Sequence, residues 1–383
     1  MGFVNALKPL QLARSGQAES ALNKLAKSSC SRILRLMLPA TLATLISWVL
    51  CQLGSYETAR ESDAYWLRMN TPEPSSNIPW AVRDLVTALR QTWMFGYSNI
   101  YDQPQWALIY LLQGSLMVIG ALLLTVNMSP TWRTVALVIL SFWTLDFSRA
   151  MLDPFTGPAS ISGILFAELS LTSYPQRLSS FSRFLTPPLC LLSLFLMSYT
   201  EIARERAPWT AVLFKFASRY LPIDNAGRYE RTYGTIGSII LIFSIIISPY
   251  MRWVLSRKPL RFLGKISFGI YLLHGMVLRS VFAWILFFGA GKAEFVETEP
   301  DETYYDYRYP VPGVIHCGVA TTVAGIIILA ASHIWNAKIE PWLGKITSVT
   351  EDIVRGRLTL KDLIVRSANP EDEKHQLLPV RQD

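Results

Sequence analysis

Long runs of uncharged, apolar residues are the feature that most limits what this 383-residue chain can fold into. An apolar α-helix needs about 18 to 20 residues to cross the hydrocarbon core of a bilayer. Five runs reach or approach that length without a single Lys, Arg, Asp or Glu: residues 36–53, 103–132, 184–200, 232–251 and 309–337. Each of them predicts a membrane-spanning helix.

Three further apolar runs contain ionisable residues: 134–153 with Asp146 and Arg149, 154–172 with Glu168, and 266–291 with Arg279. Asp146 and Arg149 are spaced i, i+3, so on a helix they could neutralise each other. Only 17% of the residues are charged, whereas 51% are hydrophobic. We therefore predict an all-α protein, a polytopic membrane helix bundle with about eight transmembrane helices.

The charges of the loops predict their sides of the membrane. Residues 251–265 carry five bases and no acid, whereas residues 290–311 carry two bases and six acids. Because cytosolic loops are enriched in Lys and Arg, we expect the first loop in the cytosol and the second outside. Residues 201–231, with six bases and four acids, are the exception in this arrangement, which places them outside.

This topology predicts three segments: a cytosolic N-terminal segment (1–35), a membrane bundle (36–337) and a cytosolic C-terminal tail (338–383). The largest outside loop, residues 54–102, interleaves charges with aromatic residues and is expected to fold as a cap. The first thirty residues lack an apolar core, so no cleavable signal peptide is expected. An integral, multi-pass protein of the endoplasmic reticulum or another internal membrane fits these features.

Composition also excludes several classes of function. The net charge of +8 follows from the bias of basic residues toward the cytosolic side, and no nucleic-acid motif is present, so we expect no nucleic-acid partner. The four cysteines are not closely paired, so neither a disulfide framework nor a metal site is expected. The lipid bilayer is the partner that composition predicts.

One apolar run carries polar residues at helical spacing. In FLGKISFGIYLLHG, residues 262–275, Ser267, Tyr271 and His274 are spaced i, i+4, i+7 and share one helix face. Polar groups in a bilayer must be satisfied, which favours a stripe that faces the bundle. The stripe could serve chemistry, or it could join helices, with Gly264 and Gly269 allowing close approach.

Several segments resemble the acyltransferase-3 family of integral membrane O-acyltransferases, and their sequences are most similar to those of fungal members. LGKISFGIYLLH resembles the signature of a late helix, and SRILRLMLP (31–39) is similar to the family's Arg-x-x-Arg motif. QWALIYLLQGS (105–115) resembles a helix that carries a glutamate, and HIWNAKIEPWLGKI (333–346) is similar to the closing segment. The order of these segments matches the family over nearly the whole chain.

The resemblance implies transfer of an acyl group, with acetyl expected, from a cytosolic acyl-CoA to a hydroxyl. Acetyl-CoA is the expected co-substrate, and the expected acceptor is a small natural product, as in secondary metabolite biosynthesis. Arg32 and Arg35 lie one helical turn apart, where guanidinium groups could hold the phosphates of acyl-CoA. Without the family context the two arginines are ordinary anchors before a membrane span.

The chain departs from the family pattern in two places. The family's catalytic histidine lies in a first helix, whereas MGFVNALKPLQLARS (1–15) resembles the end of the second. The resemblance therefore implies that the first helix and most of the second are missing. Leu111 occupies the position of the family's glutamate. His274 is then the best candidate for the base that takes the hydroxyl proton.

The remaining candidates have lesser expected roles. Ser267 and Tyr271 would support His274, while Glu168 and Arg279 would line a cavity. The other histidines are expected to be inert: His316 and His333 near the ends of the last span, and His375 in the polar tail.

Two alternatives to an active acyltransferase remain open at this point. The chain could be a membrane transporter or scaffold that uses the same bundle. It could also be a catalytically inactive paralogue or a truncated gene model.

Overall fold

The computed structural model describes residues 1–95, 99–147, 155–200, 207–220, 229–295 and 307–358. These residues are almost entirely helical, which confirms the all-α prediction. Their only strands are a two-residue antiparallel pair, Glu294–Phe295 with Tyr307–Arg308, in which Glu294 faces Arg308.

We number the α-helices of the described residues α1 to α17 in chain order. The first nine are α1 (Gly2–Arg14), α2 (Ala18–Gln52), α3 (Glu57–Arg60), α4 (Tyr65–Met69), α5 (Ile78–Arg90), α6 (Leu108–Thr125), α7 (Pro130–Phe147), α8 (Thr156–Ser170) and α9 (Tyr174–Ser179). The others are α10 (Ser182–Met197), α11 (Pro208–Tyr220), α12 (Tyr229–Ile247), α13 (Pro249–Leu255), α14 (Lys258–Val277), α15 (Ala283–Leu286), α16 (Val314–Ile334) and α17 (Glu340–Val354).

Four short segments extend these helices. A 3₁₀ turn, Gln103–Ala107, leads into α6. Three π-helical segments follow α5, α14 and α16: Gln91–Phe95, Leu278–Phe282 and Trp335–Ile339. The last two join α14 to α15 and α16 to α17, so each pair forms one continuous helical rod.

Five helical stretches are long and apolar enough to cross a membrane: Ala18–Gln52, Gln103–Thr125, Tyr229–Ile247, Lys258–Leu286 and Val314–Val354. These stretches overlap most of the apolar runs of the sequence, which confirms a helical membrane bundle. The shorter helices α7, α8 and α10 coincide with the other three runs. The number of eight spans stays a prediction. Arg149 lies outside the described residues, so its proposed pairing with Asp146 stays a prediction.

Two segments contain helices where the sequence predicts none. Helix α11 forms within residues 201–231 because Thr210, Leu213 and Ala217, spaced i, i+3, i+7, bury one face. That face packs against Tyr199, Tyr229 and Tyr233. Tyr233 also donates a 2.6 Å hydrogen bond to the Leu213 carbonyl oxygen.

The C-terminal tail expected from residue 338 begins inside a helix. The rod of α16 and α17 runs on to Val354, and α17 buries Leu343 and Thr347, one turn apart. The buried face explains why the helix continues past the apolar run. His375 and the rest of the tail from residue 359 lie outside the described residues.

The chain divides into two compact units. The first unit is Met1–Ser29 with Val82–Ser267, and the second is Cys30–Ala81 with Phe268–Asp383. The first unit packs α1 on α8 and α10 on α12. An apolar core of this unit joins α1, α2, α6, α7 and α8 through Ala6, Leu10, Leu25, Val118, Ala121, Leu122, Leu137, Ile161, Ile164 and Ala167.

The described residues of the segment 54–102 divide between the two units. Residues 54–81 belong to the second unit, where Tyr56 shares a 2.6 Å hydrogen bond with Ser47. Trp284 donates a 3.0 Å bond to the Ser55 carbonyl oxygen and so ties α15 to this segment. Residues 82–102 belong to the first unit. The expected cap at the membrane face stays a prediction.

Candidate functional site

A cavity of about 290 Å³ lies in the first unit among α1, α6, α8 and α12. Helix α12 contributes Thr235, Ser238, Ile239 and Ile242, which are spaced so that they share one face. The complete lining is Met1, Gly2, Phe3, Tyr110, Leu111, Phe155, Thr156, Ala159, Ser160, Ser162, Gly163, Phe166, Thr235, Ser238, Ile239 and Ile242.

The wall of this cavity is apolar with scattered hydroxyl groups. None of the side chains that line it carries a charge. Ser162 and Ser238 donate hydrogen bonds of 2.7 Å to carbonyl oxygens of their own helices, at Pro158 and Gly234. Their hydroxyl oxygens can still accept a hydrogen bond from a bound molecule.

Leu111, at the position where the family resemblance places a glutamate, is part of this wall. A carboxylate there would be an acceptor inside the cavity, and it could orient a base or a hydroxyl. Leucine offers only apolar contact. The departure found in the sequence is therefore a change in the chemistry of the cavity.

Beyond one end of the cavity, an arginine lies over two aromatic rings. The Arg231 guanidinium carbon is 5.4 Å from the ring centre of Tyr110 and 5.7 Å from that of Trp106. Arg231 is one turn before Thr235 on α12, but it is not a lining residue. Tyr110 therefore presents its ring both to the cavity and to a cation.

Glu168 lies in a cluster of buried charges in the first unit, with a side chain only 3% exposed. Arg14 donates to its Oε2 atom through Nε at 2.9 Å and Nη2 at 2.6 Å, and Arg133 donates to Oε1 through Nη1. Glu168 was expected to line a cavity, but it is not among the lining residues of the cavity described above. The two guanidinium groups explain this, because they hold the carboxylate in an ion-paired site.

His274 lies in the second unit, half-buried on α14. Its Nδ1 atom is 3.1 Å from the carbonyl oxygen of Ile270 and 2.9 Å from that of Tyr271. Because a carbonyl can only accept, these contacts assign the proton of the neutral ring to Nδ1. Nε2 is then the basic nitrogen, which is the arrangement a general base requires.

Two residues of the expected stripe on α14, Tyr271 and His274, lie close together. The ring centres of Tyr271 and His274 are 6.2 Å apart. Ser267 is exposed and donates a 2.9 Å bond to the Gly264 carbonyl oxygen of its own helix. The Ser267 hydroxyl is therefore satisfied by the preceding turn, and its supporting role beside His274 stays a prediction.

Close approach of helices is confirmed at one of the two glycines of this helix. A Cβ atom on Gly269 would lie 3.2 Å from the Cα, Cβ and carbonyl oxygen of Ser332 on α16. A Cβ atom on Gly264 would meet no atom within 4 Å. Gly269 thus permits α14 and α16 to pack tightly in the second unit.

Arg32 and Arg35 lie in the middle of the long helix α2 rather than at its beginning. Arg35 is exposed and Arg32 is half-buried. Pro39, inside the same helix, has no N–H to donate to the Arg35 carbonyl oxygen. This stretch of α2 therefore carries two guanidinium groups and, at Arg35, a carbonyl oxygen that lacks the usual helical N–H donor.

Arg279 is 4% exposed in the π-helical segment after α14. Its guanidinium carbon lies 5.9 Å from the ring centre of Tyr56, whose hydroxyl pairs with Ser47. These contacts join the segment at 54–81 to the helix that carries His274. The expected role of Arg279 in lining a cavity stays a prediction.

Sequence reasoning missed the partners of Glu168. A carboxylate within an apolar run signals a buried ion pair, but no spacing rule links it to Arg133 or Arg14. It also missed the cavity, because its lining comes from four helices that are distant in the chain.

Comparison with known proteins places the chain in a family. The model of the acyltransferase domain family, acyltransferase-3, matches residues 20–331, so the chain belongs to this family of membrane acyltransferases. It is similar to the O-acetyltransferase PaAT-1 of Phomopsis amygdali, with 22% identity over 317 residues. That match covers 73% of this chain and 60% of the relative, so the chain spans less than two thirds of the relative's length. No solved structure matches the chain.

Proposed function

We propose that this chain is a membrane-bound O-acyltransferase that moves an acyl group, acetyl in the first instance, from acyl-CoA to a hydroxyl of a small molecule. The observation that carries the proposal is the family match over residues 20–331, which includes both arginines of α2 and His274. The similarity to a fungal O-acetyltransferase supports acetyl as the group transferred.

His274 is the proposed general base. With its Nδ1 proton donated to the carbonyls of Ile270 and Tyr271, Nε2 can take the proton of the acceptor hydroxyl. The hydroxyl oxygen then forms an ester bond to the thioester carbon, and the carbon–sulfur bond breaks. The departing thiolate takes the proton from Nε2, so the products are the ester and coenzyme A. The ring returns to its starting state.

Arg32 and Arg35 are the proposed contacts of the donor. Acyl-CoA is polyanionic, and guanidinium groups bind phosphate oxygens with two hydrogen bonds at once. The pair is spaced i, i+3 on α2, which places both groups on one side of the helix.

The decisive experiment measures transfer of labelled acetyl from acetyl-CoA by the purified protein in lipid nanodiscs. A lipophilic alcohol, a phenol and a sugar are offered as acceptors. We expect acetyl ester with at least one of them, and its loss in His274→Gln. His316→Gln is the matched control, because His316 is an exposed histidine at the beginning of α16. Full turnover by His274→Gln would show that the base lies elsewhere, and absence of any ester would contradict the proposed activity.

Transport on the same bundle is the second candidate. Leu111, in place of an acid, favours it, because leucine cannot activate a hydroxyl. Transport predicts movement of a neutral solute across vesicles that contain the protein, without any acylated product. Acetyl transfer in the preceding assay would rule out a purely transporting protein.

A further inference from the structure

We infer that the connection from α12 through α13 into α14 binds the headgroup of an anionic phospholipid. Its basic residues, here called the basic patch, are Arg252, Arg257, Lys258, Arg261 and Lys265, and all five belong to the first unit. The inference goes beyond the proposed acyl transfer, because it concerns the lipid that surrounds the chain and neither the acyl donor nor the acceptor.

The basic patch lies at the junction of two helices that are long and apolar enough to cross a membrane. One is Tyr229–Ile247 and the other is the rod Lys258–Leu286. Only α13 and a few neighbouring residues, 248–257, join them, so this short connection stays at one face of the membrane. The loop charges predict that this face is cytosolic, and the cytosolic leaflet is the one that carries anionic lipids.

The first two turns of the rod extend beyond the hydrocarbon core. Residues 266–286 span about 31 Å as a helix, which matches the ~30 Å of the core. Residues 258–265 add about 12 Å, which reaches into the headgroup layer. Arg279, in the longer part, is 4% exposed and so is covered by the protein, whereas the bases of 258–265 are exposed.

The charge of the patch is of one sign. Residues 251–265 contain five bases and no acid. Lys258, Arg261 and Lys265 are spaced i, i+3, i+7, so they share one exposed face of α14. Among the described residues, no carboxylate forms a salt bridge with Arg252, Arg257 or Arg261. These guanidinium groups can therefore pair with an anion without first breaking an ion pair to the described part of the chain.

A column of stacked groups holds one arginine of the patch at this face. The exposed rings of Tyr250 and Trp253 stack with their centres 5.8 Å apart, and the Arg257 guanidinium carbon lies 3.4 Å from the Trp253 ring centre. Stacking occupies the face of the guanidinium group and leaves the N–H groups in its plane available, and a phosphate can accept two of them at once. Tyrosine and tryptophan are also the residues enriched at the membrane interface.

Exposed apolar side chains beside the bases favour a phospholipid over a soluble anion. Leu255 ends α13, and Leu260 and Leu263 lie among the bases of α14. All three are exposed. A phospholipid offers a phosphate to the bases and acyl chains to these leucines, as at other interfacial helices that combine basic and apolar residues. A soluble phosphate would use only the bases.

The test measures lipid binding by the purified full chain in an uncharged detergent. Isothermal titration compares dioctanoyl phosphatidylserine, which is anionic, with dioctanoyl phosphatidylcholine, which carries no net charge. Both lipids partition into micelles, so the second corrects for uptake that does not depend on charge. We expect the Kd for phosphatidylserine to be lower by about tenfold or more.

Paired variants locate the site. Arg257→Gln with Arg261→Gln should raise the Kd for phosphatidylserine by about fivefold or more and leave phosphatidylcholine binding unchanged. Lys24→Gln with Lys27→Gln is the matched control, because these lysines are exposed on α2 of the same unit and the variant loses the same charge. We expect its Kd to stay within about twofold of the unchanged chain.

Three results would overturn the inference. They are equal Kd values for the two lipids, equal weakening by the two double variants, and displacement of phosphatidylserine by equimolar coenzyme A. The second would show an effect of net charge alone, and the third would identify the patch as a contact of the acyl donor. If the arginine variant does not fold, Arg252→Gln with Lys258→Gln removes two other exposed bases of the patch and decides the same question.

Discussion

Arg133 and Glu168 form an ion pair in which both side chains are almost fully buried, at 2% and 3% exposure. Arg133 also donates to the carbonyl oxygens of Thr125, Val126 and Met128, at 3.1, 3.1 and 2.7 Å. The Arg133 side chain on α7 thus donates hydrogen bonds both to carbonyl oxygens at the C-terminal end of α6 and to the Glu168 carboxylate on α8. The guanidinium group connects three helices of the first unit.

Arg133→Leu should destabilise the protein strongly. The change leaves three carbonyl oxygens without their donor and Glu168 with Arg14 as its remaining arginine, a loss of about 3–5 kcal/mol for a broken buried pair. Thermal unfolding in detergent, followed by fluorescence-detected gel filtration, measures the effect. Arg177→Leu, at an exposed arginine of α9, should change stability by no more than about 0.5 kcal/mol. Equal melting temperatures for the two variants would contradict the role given to Arg133.

The double change Arg133→Leu with Glu168→Leu should cost less than the sum of the single changes. Once Glu168 is gone, no buried carboxylate is left short of a partner, so the two effects are coupled. We expect an interaction free energy of about 0.5–3 kcal/mol in a double-mutant cycle. Additive effects would mean that the two side chains act independently.

The helices were predictable because an apolar run inside a bilayer must hydrogen-bond its own backbone N–H and C=O groups. Residues 232–251 and 309–337, for example, leave only a helix as a membrane-spanning solution. Helix α11 was not predictable in this way. Its buried residues Thr210, Leu213 and Ala217 form a short face among charges, which resembles an ordinary loop in composition.

The candidate site was predictable as a set of residues but not as an arrangement. Helical spacing correctly places Tyr271 and His274 near each other, within 6.2 Å between ring centres. Spacing alone does not say which neighbours cover a face, so the supporting role of Ser267 stays a prediction. The ion pair of Glu168 with Arg14, 154 residues away, depends on tertiary packing alone.

The two glycines of α12 should respond oppositely to alanine. A Cβ atom on Gly237 would lie 2.6 Å from the Met197 Cγ and 2.8 Å from the Ser193 carbonyl oxygen, so α10 and α12 would have to separate. Gly237→Ala should therefore lower stability by about 1–3 kcal/mol. Gly234, one turn earlier, has no atom within 4 Å of such a Cβ. Gly234→Ala should be neutral or raise stability by up to about 1 kcal/mol, since glycine weakens a helix interior.

Thermal unfolding of both glycine variants in one detergent checks this pair. The Ser193 hydroxyl donates a 2.9 Å bond to the Gly237 carbonyl oxygen, so separation of the helices would also remove a hydrogen bond. A stable Gly237→Ala protein would show that α10 and α12 are not packed as closely as described.

Replacing both arginines of α2 should weaken the binding of the donor. Arg32→Ala with Arg35→Ala removes two cations from one side of the helix, and hydrogen bonds to charged groups contribute about 1.5–3 kcal/mol each. We expect the Kd for coenzyme A to rise tenfold or more, on the order of 1.4 kcal/mol. Isothermal titration in nanodiscs measures it.

Lys24→Ala with Lys27→Ala is the matched control for the arginine pair. These lysines are exposed on the same helix at the same spacing, so the control removes equal charge. Equal weakening by the two double variants would indicate only a general attraction between basic residues and an anion. An unchanged Kd in the arginine variant would remove the donor assignment.

The two ends of the rod Lys258–Leu286 should face opposite sides of the membrane. Its 29 residues span about 43 Å as a helix, enough to cross a bilayer. Ser256, before the rod, lies in the basic segment 251–265 with its five bases, while Lys292, after the rod, lies in the acidic segment 290–311. Ser256→Cys and Lys292→Cys are therefore introduced separately into a chain whose four native cysteines are changed to serine. In sealed vesicles with the cytosolic face outward, an impermeant maleimide should label Ser256→Cys directly and Lys292→Cys only after permeabilisation.

Labelling of both positions in sealed vesicles would mean that this rod does not cross the membrane. Labelling of Lys292→Cys alone in sealed vesicles would invert the orientation predicted from the loop charges.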